Sequence, residues 1–247
     1  MTAKMNINVL VQKIISAIQA GKLMDEQRKL PSEPVLMDYY QVTRYTLRSA
    51  LQQLNTMGYI YQVHGVGTFV RQQQTNESMA LEHNGGLSDE ADRVGRSLTT
   101  DKATEKIIPA SEAEFIPETV NFDKDEMLID VTRFRSLDGD PYVMEHSYYL
   151  QSVIEEIPQS ALFGSLFHYF EEQKSTQIGF IDQLIMSEPL PKTASDFMKL
   201  PIGSPSLVVQ DETYLNTGQL LAFSKQYYNF KTAKLFVVKK VHSKSKR

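Results

Sequence analysis

Residues 30–60 have the sequence LPSEPVLMDYYQVTRYTLRSALQQLNTMGYI, in which two helices and the turn between them are visible. Ser32 and Pro34 are typical of a helix N-terminus, because serine accepts hydrogen bonds from free backbone amides and proline is tolerated in the first turn. A short helix is therefore predicted from Ser32 to about Tyr40. Three residues are predicted to form its buried side: Val35, Leu36 and Tyr39.

A tight turn at residues 41–42 leads to a longer helix, which Thr43 is expected to cap and Gly58 to end. Apolar residues recur along it every three or four positions, which predicts a buried stripe: Leu47, Ala50, Leu51 and Leu54. Arg44 and Arg48 then share an exposed face. Two helices joined in this way form a helix-turn-helix, whose second helix enters the DNA major groove. The two guanidinium groups suit either guanine edges or phosphates.

An amphipathic helix is predicted before this segment and a β-hairpin after it. Apolar residues recur at helical spacing within residues 1–20, unlike the continuous apolar block of a signal peptide. Residues 59–63 and 68–70 are predicted strands on either side of HGVG at residues 64–67. A turn rich in glycine lacks bulky side chains and can approach a minor groove closely. This order of elements indicates a winged helix-turn-helix.

Charge is distributed unevenly along the 247 residues. The net charge is −4, yet residues 1–71 hold eight Lys and Arg against four Asp and Glu. Residues 39–76 hold no carboxylate at all. The net positive charge of residues 1–71 is suited to binding the phosphate backbone of DNA, while the remainder of the chain is acidic.

Composition excludes several kinds of site. The chain has no cysteine, so disulfides, thiolate metal sites and a cysteine nucleophile are ruled out. The five histidines lack metal-ligand spacing, and no motif for a catalytic triad, a nucleotide loop or paired carboxylates stands out. No metal, cofactor or catalytic residue is therefore predicted. No stretch is apolar enough to cross a membrane, and a cytoplasmic location is expected.

The segment 30–60, together with HGVGTFV at residues 64–70, resembles the DNA-binding domain of the bacterial GntR-family regulators over about residues 5–70. The resemblance implies that the domain binds DNA through the long helix and the hairpin. The predicted DNA-binding residues are Thr43, Arg44, Tyr45, Thr46, Arg48, His64 and Gly67. Pro34 stands where the family usually has an arginine that contacts DNA, so a different operator preference is expected.

The second part of the chain is predicted to be an α+β domain. Residues 72–96 are rich in Gln, Asn, Ser, Gly and acids, and are interpreted as a linker between a domain at 1–71 and one at 97–247. Strand-forming runs surround the turn sequence DGDP at residues 138–141, and a second hairpin is predicted around residues 216–218. Short helices are predicted near residues 165 and 192, so an antiparallel sheet carrying helices is the expected architecture.

Arg133 and Arg135 are the most informative pair in this domain. Side chains alternate along a strand, so both arginines lie on one face, with Phe134 on the other. Two neighbouring guanidinium groups need an anion: Glu145 on the returning strand is suited to one of them, and a bound phosphate to both. A solvated ladder of ion pairs is the alternative, because charged residues are mostly exposed.

The segments VTRFRSLDGDPYVMEHSYYL (131–150), GSLFHYF (164–170) and NTGQLLAFSKQYYNF (216–230) resemble the UTRA effector domain of the HutC subfamily, whose fold is similar to that of chorismate lyase. The resemblance implies an effector pocket for a small anionic metabolite, with a sugar phosphate as the leading class and organic acids as the alternative. The implied pocket residues are Ser97, Thr99, Thr100, Arg133, Arg135, Glu145, Ser165 and Tyr228. Ser165 is equally suited to a plain helix cap, and a tyrosine in a strand such as Tyr228 is more often a core residue than a pocket residue.

Together, these features predict a ligand-responsive transcription regulator that binds double-stranded operator DNA and acts as a repressor. Homodimerisation is expected, because dimers recognise two-fold related half-sites. Two other functions stay open at this point. One is a DNA-binding scaffold whose second domain binds a protein and no small molecule, and the other is a lyase-like enzyme.

Overall fold

The computed structural model describes residues 6–71, 78–80, 86–119, 123, 125–173 and 175–237. These residues fall into two compact units. The first is built mainly from residues before 76, and the second mainly from residues 84–235.

The first unit is a three-helix domain with a hairpin. Its elements are α1 (Ile7–Gln19), α2 (Glu33–Tyr40), α3 (Arg44–Thr56), β1 (Ile60–Val63) and β2 (Gly67–Val70). The predicted stripe on α3 is buried in the core, where it meets the apolar face of α1. Thr43 caps α3, since its hydroxyl accepts a hydrogen bond from the Thr46 amide at 3.2 Å. The predicted winged helix-turn-helix is therefore confirmed.

The buried side predicted for α2 is wrong in part. Leu36 and Tyr40 are buried, whereas Val35 and Tyr39 are 55% and 67% exposed. Apolar residues occupy both possible faces of this eight-residue helix, so periodicity alone does not select one. Packing against the rest of the core selects the Leu36 face.

The second unit is a six-stranded antiparallel sheet in the order β4-β5-β6-β9-β8-β7. Its strands are β4 (Leu98–Pro109), β5 (Met127–Leu137), β6 (Asp140–Leu150), β7 (Ile178–Pro189), β8 (Pro205–Leu215) and β9 (Leu220–Asn229). Its helices are α4 (Leu87–Arg93), α5 (Gln159–Phe163), α6 (Leu166–Glu172) and α7 (Lys192–Met198). Two short strands, β3 (Met79–Ala80) and β10 (Leu235–Phe236), lie outside this sheet. The predicted α+β architecture is confirmed.

The β5–β6 hairpin sets the register of the arginine pair. Asp138 and Gly139 form its two-residue turn with φ of 54° and 89°. Positive φ at both positions suits the primed turns, which match the twist of paired strands. The resulting register places Arg133 directly opposite Glu145.

The two faces of the sheet carry different cores. Helices α5 and α6 cover one face, where Leu162 and Phe170 pack with Val131 and Tyr149. Helix α7 covers the other face, where Met198 packs with Phe134 and Met144. Arg133 and Arg135 thus belong to the face beneath α5 and α6, as strand alternation predicts.

The predicted linker ends earlier than expected. Of residues 72–96, those at 72–77 and 81–85 lie outside the described residues, and the part from 86 onward belongs to the second unit. It contains α4, whose Glu90 is buried and accepts a hydrogen bond from Arg93 Nε at 2.6 Å. A seven-residue helix with few apolar positions leaves no periodic pattern to detect, which is why the sequence suggested a linker.

Candidate functional site

The exposed face of α3 carries the two predicted DNA-binding arginines. The side chains of Arg44 and Arg48 are 65% and 62% exposed. The two carboxylate oxygens of Glu33, at the start of α2, share the single N–H of Arg48 Nε at 3.0 and 3.2 Å, and Glu33 lies 3.9 Å from Arg44 Nε. One carboxylate therefore holds two guanidinium groups at the surface. Solvent weakens such pairs, so phosphate oxygens can replace the carboxylate.

The hairpin after α3 brings a narrow turn to the surface. His64 and Gly65 are exposed, and Gly67 has a φ of 148°. This positive φ favours glycine at position 67, whereas the nearest atom to an added Cβ, Cε of Lys29 at 2.7 Å, belongs to a flexible side chain that can move away. The Leu30 amide donates to the Thr68 carbonyl at 2.8 Å, which ties the chain before α2 to the hairpin.

The remaining residues of the predicted DNA set differ in exposure. Tyr45 is 75% exposed and Thr43 is exposed at the start of α3. Thr46 is only 5% exposed, and its hydroxyl lies 2.9 Å from the Thr43 hydroxyl. The prediction of Thr46 as a DNA contact is therefore wrong in this structure, because its buried side chain completes the helix cap.

The strand arginines form a buried cluster with Glu145. Arg133 pairs with one carboxylate oxygen, and Arg135 Nη1 donates to the other at 3.0 Å. Arg135 Nη2 also donates to the Ser88 hydroxyl at 2.6 Å, and Arg133 Nη1 donates to the Gly164 carbonyl at 3.2 Å. The three charged residues are between 3% and 7% exposed, so the alternative of a solvated ladder is wrong.

This cluster carries more positive than negative charge. Burial raises the pKa of Glu145, but the charges and hydrogen bonds of Arg133 and Arg135 outweigh it and hold that pKa below its usual value. Burial lowers the pKa of Arg135, against the attraction of Glu145. Two guanidinium groups thus share one carboxylate out of solvent. Arg135 Nε is buried and has no hydrogen-bond partner among the described residues.

A cavity of about 140 Å³ lies against the cluster. Both arginines, Glu145 and Ser88 line it. Six residues of its wall carry hydroxyl groups: Ser88, Ser147, Tyr149, Ser165, Thr213 and Ser224. Its apolar lining includes Leu87, Leu166, Phe167, Phe170, Ile178 and Ile181. A cavity that combines apolar walls with converging polar groups is typical of small-ligand sites.

Asp211 lies on a different strand of the cavity wall. Gln183 Nε2 donates to one of its oxygens at 3.0 Å, and Gln226 Nε2 donates to the other at 2.7 Å. Burial raises the pKa of Asp211 to about 6, with a smaller contribution from the charge of Glu145. Tyr228 is fully buried on the same strand as Gln226, two residues away, and donates to Gln226 Oε1 at 2.6 Å.

The structure brings together four of the eight residues predicted for the effector pocket: Arg133, Arg135, Glu145 and Ser165. Ser165 also caps α6, accepting from the His168 amide at 3.2 Å. Tyr228 lies in the core and reaches the wall only through Gln226. The cavity lining as described does not include three residues near the start of β4: Ser97, Thr99 and Thr100.

Sequence reasoning missed Ser88 and Asp211. Ser88 lies on α4, inside the stretch that was interpreted as linker. Asp211 is a single acidic residue in a strand, and neither its neighbours nor its spacing distinguishes it from surface acids. The backbone amide of Ser97 donates to Asp138 Oδ1 at 2.8 Å, so Ser97 supports the β5–β6 turn instead of the cavity.

Comparison with known proteins identifies both units. The family model described as "UTRA domain" matches residues 94–234, and "Bacterial regulatory proteins, gntR family" matches residues 6–70. The chain belongs to the GntR family. Its pairing of a GntR helix-turn-helix with a UTRA domain is that of the HutC-type regulators, as the sequence predicted.

Relatives of this GntR-family chain include two regulators of Bacillus subtilis. YydK is 29% identical over 212 residues, covering 85% of this chain and 87% of YydK. TreR is 24% identical over 224 residues, covering 90% of this chain and 92% of TreR. The crystal structure of YydK superposes with a TM-score of 0.78 at 26% identity, over 96% of this chain and 100% of that structure.

Two further properties of this GntR-family chain concern its described residues alone. None of their helices has both the length and the apolar character that a membrane span requires. Within the same residues, no group of three or more His, Cys, Asp or Glu side chains is arranged to hold a metal ion.

Proposed function

We propose that this GntR-family chain is a ligand-responsive repressor. Its first unit binds double-stranded operator DNA, and its second unit binds a small anionic metabolite whose binding changes operator affinity. The observation that carries the proposal is the buried cluster of Arg133, Arg135 and Glu145, which lines a cavity and holds an excess positive charge. An anion entering that cavity meets two guanidinium groups already held in place.

DNA binding is supported by the exposed arginines of α3 and by the narrow hairpin turn. The contact set comprises Thr43, Arg44, Tyr45, Arg48, His64 and Gly67. Within this set, guanidinium groups bind guanine edges or phosphates, and the turn approaches the backbone or the minor groove. The GntR model match over residues 6–70 covers all of these positions. Binding chromosomal DNA places the protein in the bacterial cytoplasm.

A sugar phosphate is the effector class that the cavity suits best. Arginine pairs bind phosphate through parallel hydrogen bonds, and the hydroxyls of Ser88 and Ser165 offer further donors beside them. The remaining hydroxyls and apolar side chains suit the polar edges and apolar faces of a sugar. The relative TreR is named the trehalose repressor of Bacillus subtilis, which also favours a carbohydrate-derived ligand. An organic acid would use the same arginines.

A homodimer is part of the proposal. One helix-turn-helix reads a single half-site, and two-fold related half-sites require two copies. In the second unit, edge strand β7 exposes Phe180 and Leu184 by 50% and 56%. Apolar side chains on an open sheet edge favour association with a second copy.

The experiment is titration of a labelled DNA fragment from upstream of the chain's own coding region, followed by fluorescence anisotropy. Binding is expected to weaken steeply between dilute and physiological salt, because phosphate contacts release counterions. A sugar phosphate added at fixed protein concentration is expected to change the anisotropy. A flat salt response would contradict the DNA-binding face, and indifference to every anion tested would leave the scaffold function as the better account.

A further inference from the structure

We infer that Asp211 is a specificity residue of the cavity: it accepts a hydrogen bond from a hydroxyl of a ligand whose anionic group lies at Arg133 and Arg135. The inference rests on the proposed function and deepens it, because it concerns the uncharged end of the same ligand. The ligand class becomes a polyhydroxylated phosphate or carboxylate, and ligands with a second anionic group at the Asp211 end are excluded.

The strand order separates Asp211 from the arginines. Glu145 is directly opposite Arg133 on one side and Gln226 on the other, while Asp211 pairs with Ser224 on β9. Asp211 thus stands three strands away from the arginines, on β8, which is about 14 Å between backbones at the usual strand spacing. Both groups line one cavity, so a single small anion at the arginines leaves the carboxylate free for another part of the ligand.

The carboxylate of Asp211 is prepared to accept further hydrogen bonds. Each of its oxygens receives one amide, from Gln183 or Gln226, and an ionised carboxylate offers about four acceptor positions in total. Acceptor capacity therefore remains. An ionised carboxylate has no hydrogen to donate, so its partner in the ligand has to be a donor such as a hydroxyl.

Tyr228 holds this arrangement in place through its contact with Gln226. Its hydroxyl donates to Gln226 Oε1, which leaves Gln226 Nε2 directed to Asp211. The side chains of Ser147 and Ser224 share the cross-strand row of Asp211, and all three line the cavity. Neutral hydroxyls beside one carboxylate match a row of ligand hydroxyls. A second anionic group would instead meet the charge of Asp211.

The test compares three probes on the full chain by isothermal titration: inorganic phosphate, glucose 6-phosphate and glucosamine 6-phosphate, with other hexose and pentose phosphates as an extension. The variants are Asp211→Asn, Tyr228→Phe and the matched control Asp182→Asn. Asp182 is exposed on β7, next to Gln183, and does not line the cavity. Thermal unfolding of each variant checks that it folds.

Wild type is expected to bind at least one sugar phosphate more tightly than phosphate. Asp211→Asn should lose roughly ten- to hundredfold of that affinity, the range for hydrogen bonds to charged groups, and keep its affinity for phosphate. Tyr228→Phe, which acts through Gln226, should show the same selective loss at smaller size. Asp182→Asn should match wild type.

Four results would overturn the inference. One is unchanged sugar-phosphate affinity in Asp211→Asn together with Tyr228→Phe. The second is equal loss of phosphate and sugar-phosphate affinity, which means general damage to the cavity. The third is a wild-type affinity for sugar phosphates that is no higher than the affinity for inorganic phosphate. The fourth is an affinity loss in Asp211→Asn for glucosamine 6-phosphate alone, which would assign the carboxylate to binding the ammonium group. Failure of wild type to bind any probe would instead overturn the proposed anion site.

Discussion

Two arginine pairs in this chain each contact one glutamate, but one cluster is exposed to solvent and the other is buried. Arg44 and Arg48 flank Glu33 at the surface of α3, and Arg133 and Arg135 flank Glu145 inside the second unit. In each case two guanidinium groups hold one carboxylate. The arginine side chains are more than 60% exposed in the first cluster and less than 10% exposed in the second.

Solvent gives the two clusters different uses. Exposed ion pairs contribute about 0–1 kcal/mol, so DNA phosphates can displace Glu33 at little cost. Buried ion pairs are strongly coupled to folding, so Glu145 stays in place while a ligand adds to the cluster. The exposed cluster thus suits DNA, which carries many phosphates, and the buried cluster suits a small anionic ligand.

The largest expected difference is in stability. Glu145→Gln leaves two buried arginines without a carboxylate and should lower the free energy of unfolding by about 3–5 kcal/mol. Glu33→Gln, the same substitution at the surface, should lower it by about 1 kcal/mol or less. Urea denaturation of both variants makes the measurement. Equal effects would show that burial does not separate the clusters.

The pH dependence of stability tests the cavity further. Because burial raises the pKa of Asp211 to about 6 in the folded chain, stability falls as the pH rises from about 4 to about 6, and the full cost of ionising this carboxyl is present above pH 6. Asp211→Asn should therefore gain stability relative to wild type between pH 4 and 7, by roughly 2–3 kcal/mol at 1.36 kcal/mol per pKa unit. Thermal unfolding across that range measures the difference. A constant offset between the two proteins would contradict the raised pKa.

The two clusters should also separate in binding. Arg48→Ala is expected to weaken operator binding by about 1–3 kcal/mol and to leave binding of inorganic phosphate intact. Arg133→Lys, which keeps the charge but loses the paired donors, should weaken phosphate binding and leave operator binding without ligand intact. Anisotropy and calorimetry provide the two measurements. Loss of both activities in either variant would undermine the division between the units.

The smallest expected effects concern the two helix caps. Thr43→Ala and Ser165→Ala should each lower the free energy of unfolding by about 1 kcal/mol, since each removes a side-chain acceptor for a helix amide. Only Ser165 lines the cavity, so phosphate affinity should fall in Ser165→Ala alone. Unchanged phosphate affinity in Ser165→Ala would show that Ser165 caps α6 and does not contact the phosphate.

Local patterns were sufficient for most elements. The stripe on α3, the Thr43 cap, the Asp138-Gly139 turn and the shared face of Arg133 and Arg135 all depend on residues close in sequence. Weak or equivocal patterns failed: α4 has too few apolar residues, and α2 has apolar residues on two faces. Edge strand β4 was missed because most of its residues are polar and exposed.

The amino-acid order alone therefore specifies the family, the two units and the strand face that carries the arginines, because these follow from periodicity, capping and turn chemistry. Packing specifies what lies against that face. Ser88 contacts Arg135 from 47 positions earlier in the chain. Asp211 lines the same cavity from β8, three strands across the sheet from the arginines. Burial and partnership of a charged side chain depend on residues distant in sequence, so they emerge only when the strands and helices assemble.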